Sequence, residues 1–148
     1  MNGNLYNNIG ICSLAIAFIV QQTEELSLSQ IILIMPIISH EELLKYLTRK
    51  TTNIQSIEQI IAHKAEYFTN FNDRFYDNLV VTLNSIQLLE EIEIIKLEKG
   101  KIISLERIDY EESMGKRAKR ISDASILITK IITHKNIGSL YSNLRIKL

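Results

Sequence analysis

A twelve-residue apolar stretch near the start of the chain, Ile9 to Val20, limits what this sequence can fold into. Only Gly10 and Ser13 interrupt it, so a helix built from it is apolar around most of its circumference and needs cover on nearly all sides. Crossing a bilayer takes about 20 apolar residues, and no Lys or Arg precedes the stretch as in a secretory signal. The sequence therefore predicts a buried helix over about residues 8 to 25 and no membrane segment.

The composition is that of a globular protein with a core of its own. Of the 148 residues, 46% are apolar and 23% are charged, and 17 basic residues balance 17 acidic ones. This balance argues against a surface devoted entirely to nucleic acid, while a local basic patch remains compatible with it. Cys12 is the only cysteine, so neither an internal disulfide nor a thiolate metal cluster is expected, which fits a reducing cytoplasm.

The segment after the first helix has one part that the pattern leaves open. Residues 31–35 are apolar and are followed by Pro36, which indicates either a buried strand or the first turns of a helix. Ser39 and Glu42 have the spacing of a capping box, in which a serine hydroxyl accepts from the N–H three residues later. They predict a short helix that ends at Thr48.

Residues 56 to 106 follow the order of a winged helix-turn-helix. Three helices are predicted there. Their expected starts are a capping box at Ser56, a cap at Asn72 or Asp73, and a cap at Ser85. This order of elements is the one that a winged-helix core requires.

Two β-prone runs follow, at 92–97 and 101–105, and a turn containing Gly100 joins them. Such runs around a three-residue turn predict a β-hairpin. The fold class is therefore mainly α (α+β), a helical domain with a winged-helix-like segment and one hairpin. Residues 1–148 are assigned to a single domain, in which helical segments at 8–48 and 109–134 flank the winged-helix-like core.

No catalytic or cofactor-binding set emerges from the sequence. The three histidines lie in separate segments, without the spacing of paired metal ligands. Cys12, within an apolar helix, is expected to be a poor nucleophile because burial raises the pKa of a thiol. Glu90, Glu91 and Glu93 are expected to be solvated charges at the end of a surface helix, and no glycine-rich phosphate loop is present. We therefore expect no enzyme activity, no cofactor and no metal site.

The cations near residue 116 are the strongest candidate binding site. The candidate contacts are Lys116, Arg117, Lys119 and Arg120, together with Lys99 and Lys101 at the hairpin tip. The first four fall at the start of a predicted helix, where positive charge opposes the helix dipole. This placement indicates an anionic partner, either double-stranded DNA or an acidic protein face. The alternative is a solvated helix face paired with Glu111 and Glu112 just upstream.

Two apolar helix faces, one near residues 9–20 and the other a stripe at residues 121–131, are a second candidate surface. Together with the run at 31–38, they exceed what a core of about 50 residues absorbs. Either the rest of the chain covers them, or part of this surface forms a permanent interface with another protein. The candidate interface residues are Ile11, Leu14, Phe18, Ile121, Ile128 and Ile131.

The order of these features resembles a known group of bacterial proteins. The segments that carry the resemblance are the opening helix at 8–19, Ile32–His40, Phe75–Leu79, Ser85–Leu89 and Lys116–Ser125. With these segments the chain is similar to the middle component of the three-component ABC systems, a group that includes the accessory subunit of Lamassu antiphage defence.

The resemblance implies partners rather than a reaction. Such systems pair the middle component with an SMC-like ABC ATPase and with an effector, often a nuclease. By resemblance, this chain is a cytoplasmic, non-catalytic adaptor that helps to place the effector on the ATPase and assists contact with DNA. The alternative from the residues alone is a stand-alone winged-helix DNA-binding regulator.

Overall fold

The computed structural model describes residues 2–49, 56–134 and 136–148. The described part is mainly α-helical with a small antiparallel sheet, which confirms the predicted fold class. The elements are α1 (Asn2–Val20), β1 (Glu25–Ser27), α2 (Leu28–Ile31), α3 (Ile34–Ile38), α4 (Glu41–Thr48), α5 (Ile57–His63), α6 (Phe71–Asp77), α7 (Leu79–Glu91), β2 (Ile95–Glu98), β3 (Lys101–Ser104), α8 (Lys116–Thr133) and α9 (Ile137–Asn143). Short 3-10 turns occupy Ala65–Phe68 and Glu112–Met114.

Helix α1 is the central element of the fold. It packs against α7 and α8, and these two helices have little contact with each other, so α1 lies between them. All side chains from Ala15 to Val20 are at most 1% exposed, which confirms the predicted buried helix. The helix ends at Val20 rather than near residue 25, because the chain turns at 21–23 and then enters β1. No helix in the described ranges has the length and hydropathy that crossing a membrane requires.

The segment around Pro36, for which the sequence allowed either a strand or a helix, is helical. The Ser27 hydroxyl accepts from the N–H of Gln30, and the Gln30 side chain accepts from the N–H of Ser27, which starts α2 with a capping box. Pro36 lies in the first turn of α3, where its missing N–H leaves no helical hydrogen bond unmade. All five residues of α3 are buried, so the apolar run contributes to the core as a helix rather than as a strand.

Two predicted helix caps have different outcomes. The Ser39 cap is wrong, because the Ser39 hydroxyl donates to the carbonyl oxygen of Pro36 and α4 begins one residue later than expected. The cap is His40, whose Nδ1 accepts from the N–H of Leu43 at 3.1 Å. The Ser56 cap is confirmed, since its hydroxyl accepts from the N–H of Gln59.

The helices before the hairpin are divided differently from the prediction. Neither Asn72 nor Asp73 caps α6, which begins at Phe71. Ser85 is not a cap either, because it lies inside α7 and donates its hydroxyl to the carbonyl oxygen of Val81 at 2.7 Å. A serine bonded in this way fits within a helix, so α7 continues through it as one helix.

The predicted hairpin is confirmed, but its first strand begins at Ile95 rather than at 92, its turn is shorter than the predicted three residues, and it gains a third strand. Glu98 pairs with Lys101, so the loop has two residues, Lys99 and Gly100, both with positive φ. This is the geometry of a type I′ turn, in which the strands keep their natural twist. Strand β1 pairs with the other edge of β3, giving the order β1-β3-β2. Strand β1 lies outside residues 56–106, so the predicted winged-helix-like core does not supply the whole sheet.

Candidate interaction surfaces

The apolar faces predicted to meet a partner lie inside this chain. Phe18, Ile121, Ile128 and Ile131 are at most 2% exposed, and Ile11 and Leu14 pack against the same core. Four of the six residues are therefore part of this chain's own core, which is the alternative that the sequence left open. Ile11 and Leu14 are only partly buried, and their contact with a partner stays a prediction.

The four cations occupy the start of α8, as predicted, and we refer to Lys116, Arg117, Lys119 and Arg120 as the basic cluster. Lys119 pairs with Asp123 at 3.3 Å and Arg120 pairs with Glu41 at 3.6 Å. The predicted pairing with Glu111 and Glu112 is not found in the described part of the chain. Lys116 and Arg117 are exposed and make no salt bridge with any described residue. Half of the basic cluster is therefore available for an anionic partner.

A pocket of about 340 Å³ lies beside the basic cluster. Its lining consists of Ile38, Ser39, Glu41, Leu44, Arg117 and Arg120. The Glu41 carboxylate already pairs with Arg120 and with Lys45. Because the pocket contains both signs of charge, it does not by itself select an anion.

The hairpin cations lie apart from the basic cluster. Leu28 donates its N–H to the carbonyl oxygen of Gly100, and Gln30 in the same helical turn donates to the carbonyl oxygen of Ile132. The hairpin tip is thus near the C-terminal end of α8, whereas Lys116 lies about 24 Å away along the helix at 1.5 Å per residue. The six predicted contacts therefore form two groups rather than one patch.

The two hairpin cations also differ from each other. Lys101 pairs with Glu25 across the sheet at 3.5 Å, so this lysine serves the pairing of β3 with β1. Lys99 lies in the turn and makes no salt bridge within the described residues. Of the two, Lys99 is the one with an unpaired charge for an outside partner.

The outer side of α7 is an exposed apolar surface that the sequence reasoning missed. We define the α7 outer face as Val80, Leu83, Leu88 and Ile92, which are 68%, 46%, 38% and 56% exposed. The opposite side packs on α1 through small hydroxyl residues: the Cys12 thiol donates to the Thr82 hydroxyl, and the Ser85 hydroxyl donates to the carbonyl oxygen of Ile9. Once α7 is taken as one helix, Val81, Ile86 and Leu89 lie on its buried side with these hydroxyl residues, and the four aliphatic side chains of the α7 outer face lie outside.

The C-terminal end of α7 carries unpaired negative charge. Glu90 accepts from the N–H of Leu97 and Glu91 accepts from the side chain of Gln87, but neither they nor Glu93 form a salt bridge with a described residue. These carboxylates lie at the negative end of the helix dipole, which adds to their potential. The basic cluster belongs to α8, so α1 separates a negative surface from a positive one.

The buried titratable groups serve packing. Burial raises the pKa of Cys12 to about 11, so the thiolate is scarce at neutral pH. Burial also lowers the pKa of Arg74, whose guanidinium donates to the carbonyl oxygens of Pro36, Tyr67 and Thr69. No three side chains of metal-ligand type cluster within the ranges that the structure describes. The absence of catalysis stays a prediction.

The comparison with known families agrees with the resemblance noted in the sequence. Residues 5–148 match the family described as Middle Component 3 of the ABC-three component (ABC-3C) system. No curated protein and no solved structure matches the chain. Because the match covers nearly the whole sequence, this chain belongs to the Middle Component 3 family of ABC-3C systems.

Proposed function

We propose that this chain is a non-catalytic adaptor of a Lamassu-type antiphage defence complex, in which it bridges an SMC-like ABC ATPase and an effector nuclease. Membership in the middle-component family carries the proposal, since such a component works with the other components of its system. Two surfaces support a bridging role. One is the basic cluster on α8, and the other is the α7 outer face with the acidic residues at the end of α7; the two helices lie on either side of α1.

Co-purification tests the adaptor function. The tagged chain is co-expressed with the other two components of its ABC-3C system, and the recovered proteins are identified by mass spectrometry. We expect both components in a fixed ratio to the tagged chain. Recovery of the tagged chain alone contradicts the proposal.

A second function, contact with DNA, rests on the two unpaired cations of the basic cluster. Lys116 and Arg117 are exposed at the positive end of α8 and are the kind of side chains that bind phosphates. Replacing both with Ala should weaken binding of the assembled complex to duplex DNA and reduce the salt dependence by about one to two phosphate contacts. Lys130→Ala, an exposed lysine near the other end of α8, is the control. Equal binding and equal salt dependence of all three proteins would remove this function.

The stand-alone regulator is disfavoured by the helix in front of the hairpin. In a winged helix this helix is the usual reader of the major groove. Here that helix is α7, which contains no Lys or Arg and ends in Glu90 and Glu91. Its exposed side chains are apolar, neutral polar or acidic, so they offer no positive charge to DNA phosphates, and the carboxylates repel them. High-affinity duplex binding by the isolated chain would reinstate the regulator.

A further inference from the structure

We propose that the α7 outer face docks a basic amphipathic helix of a protein partner. The inference rests on the adaptor function and specifies one of its contact surfaces and the chemistry of what binds there. The partner helix would carry an apolar stripe with Lys or Arg residues at one end of that stripe.

The shape of the α7 outer face suits a helix. Val80, Leu88 and Ile92 follow the i, i+4 row of α7, with Asn84 between the first two. Rows of this kind form the ridges that pack into grooves of a facing helix. Leu97 on β2, 39% exposed, extends the apolar surface beyond the helix end, because its N–H is bonded to Glu90.

The charge around this surface determines which partner fits. Glu90, Glu91 and Glu93 have no cation within salt-bridge distance in the described residues, and α7 contributes none. An acidic or nucleic-acid partner would be repelled by these carboxylates and by the negative end of the helix dipole. Lys or Arg residues of a partner would instead be attracted to these carboxylates, which favours the correct orientation and faster association.

A second copy of this chain is a poorer occupant. If two α7 outer faces packed together, the neighbouring Glu90, Glu91 and Glu93 of both copies would bring six carboxylates to one interface. Helix α7 would supply no lysine or arginine to pair with them. Such an interface satisfies the apolar side chains but leaves all the acidic charge unpaired. A different protein with an apolar stripe and basic residues covers the apolar side chains and also pairs with the carboxylates.

The test uses the complete set of co-expressed ABC-3C components with a tag on this chain. One variant combines Val80→Glu and Leu83→Glu, which removes apolar contacts at exposed positions. The other combines Glu91→Lys and Glu93→Lys, which reverses the charge without touching the bond from Leu97 to Glu90. The matched controls are Ile126→Glu, 59% exposed on α8, and Glu106→Lys. Thermal melts of each isolated variant verify that it folds.

We expect both α7 variants to lose one component by about tenfold or more while they retain the other, because central apolar and charged contacts dominate interface energies. Both controls should stay within about twofold of the wild type. Full retention by the folded α7 variants, with a normal wild-type complex, overturns the docking proposal and leaves the adaptor function intact. Recovery of no component by the wild type shows instead that the adaptor function has failed.

Sedimentation of the isolated chain distinguishes the remaining occupant. We expect a monomer whose mass does not change with Val80→Glu and Leu83→Glu. A wild-type dimer that this double variant converts into a monomer would assign the α7 outer face to a second copy and overturn the proposal.

Discussion

Gln21 and Ile108, 87 residues apart, exchange two hydrogen bonds of 2.8 Å. Ile108 donates its N–H to Oε1 of Gln21, and Nε2 of Gln21 donates to the carbonyl oxygen of Ile108. The side-chain amide thus acts as a strand partner for the extended connection between β3 and α8. This pair ties that connection to the end of α1, and it helps to hold α8 and its basic cluster in place.

Replacing Gln21 with Ala should lower the free energy of unfolding by about 2 kcal/mol, since two hydrogen bonds contribute about 1 kcal/mol each. Urea denaturation followed by circular dichroism measures the change. Gln87→Ala is the control, because Gln87 is exposed and bonds only to Glu91 one turn away. A Gln21→Ala protein as stable as the wild type would show that this pair does not hold the connection.

The His40 cap predicts loss of stability in acid. Burial, and to a smaller extent Arg74, lowers the pKa of His40 below 6.5, while Glu42 partly opposes the shift. A lowered pKa in the folded state means that the unfolded state binds the proton more readily. The stabilisation is therefore complete above pH about 6.5 and is lost as the pH falls below that value. Protonation of Nδ1 also removes the acceptor that binds the N–H of Leu43.

The comparison protein is His40→Asn, since Asn is a good cap that does not titrate. Between pH 7 and pH 5 the wild type should lose more of its free energy of unfolding than this variant, by at most the worth of a cap, about 1 kcal/mol. Denaturation curves at each pH give both values. Parallel pH profiles of the two proteins would contradict the assignment of His40 as a titrating cap.

Ile128 and Ile126 lie on the same helix, but truncation should destabilise the protein strongly at Ile128 and hardly at Ile126. Ile128 is 0% exposed and packs in the core, whereas Ile126 points outward. Ile128→Ala should cost about 2–5 kcal/mol of stability in the isolated chain, and Ile126→Ala should be nearly neutral. Denaturant melts of both variants make the comparison. Similar small effects would mean that the α8 stripe is not core in the isolated chain.

Cys12 should react slowly in the folded protein. Its pKa of about 11 compares with an ordinary value of 9.0, so about 100-fold less thiolate is present at pH 8. Burial lowers access further. Labelling with a maleimide should therefore be at least about 100-fold slower in buffer than in urea. Similar rates in both solutions would show that the contact between α1 and α7 opens readily.

Strong local patterns in the sequence predicted several elements correctly. The apolar stretch ending at Val20 left no other choice than a buried helix, and two β-prone runs around Gly100 specified a hairpin. By contrast, β1 has three residues, of which only Leu26 is buried, and so it has no recognisable strand pattern. The pairing of β1 with β3 is a long-range contact that residue order does not contain.

The candidate surfaces were harder to predict because several helices are apolar on more than one face. In α8 the stripe could be counted, but whether α1 or a partner covers it depends on packing. In α7 a serine normally found at caps, Ser85, suggested a helix start and concealed the continuous helix. With the helix divided there, Val80 and Leu83 fall on a different predicted helix from Leu88, so the α7 outer face does not emerge from the sequence.

If this chain is the adaptor that we propose, it joins the ABC ATPase to the effector, and these two components bind each other only weakly without it. The most direct measurement places the tag on the effector and compares recovery of the ABC ATPase with and without this chain. We predict that the ATPase is recovered only when this chain is present. Equal recovery of the ATPase in its absence would contradict the adaptor account.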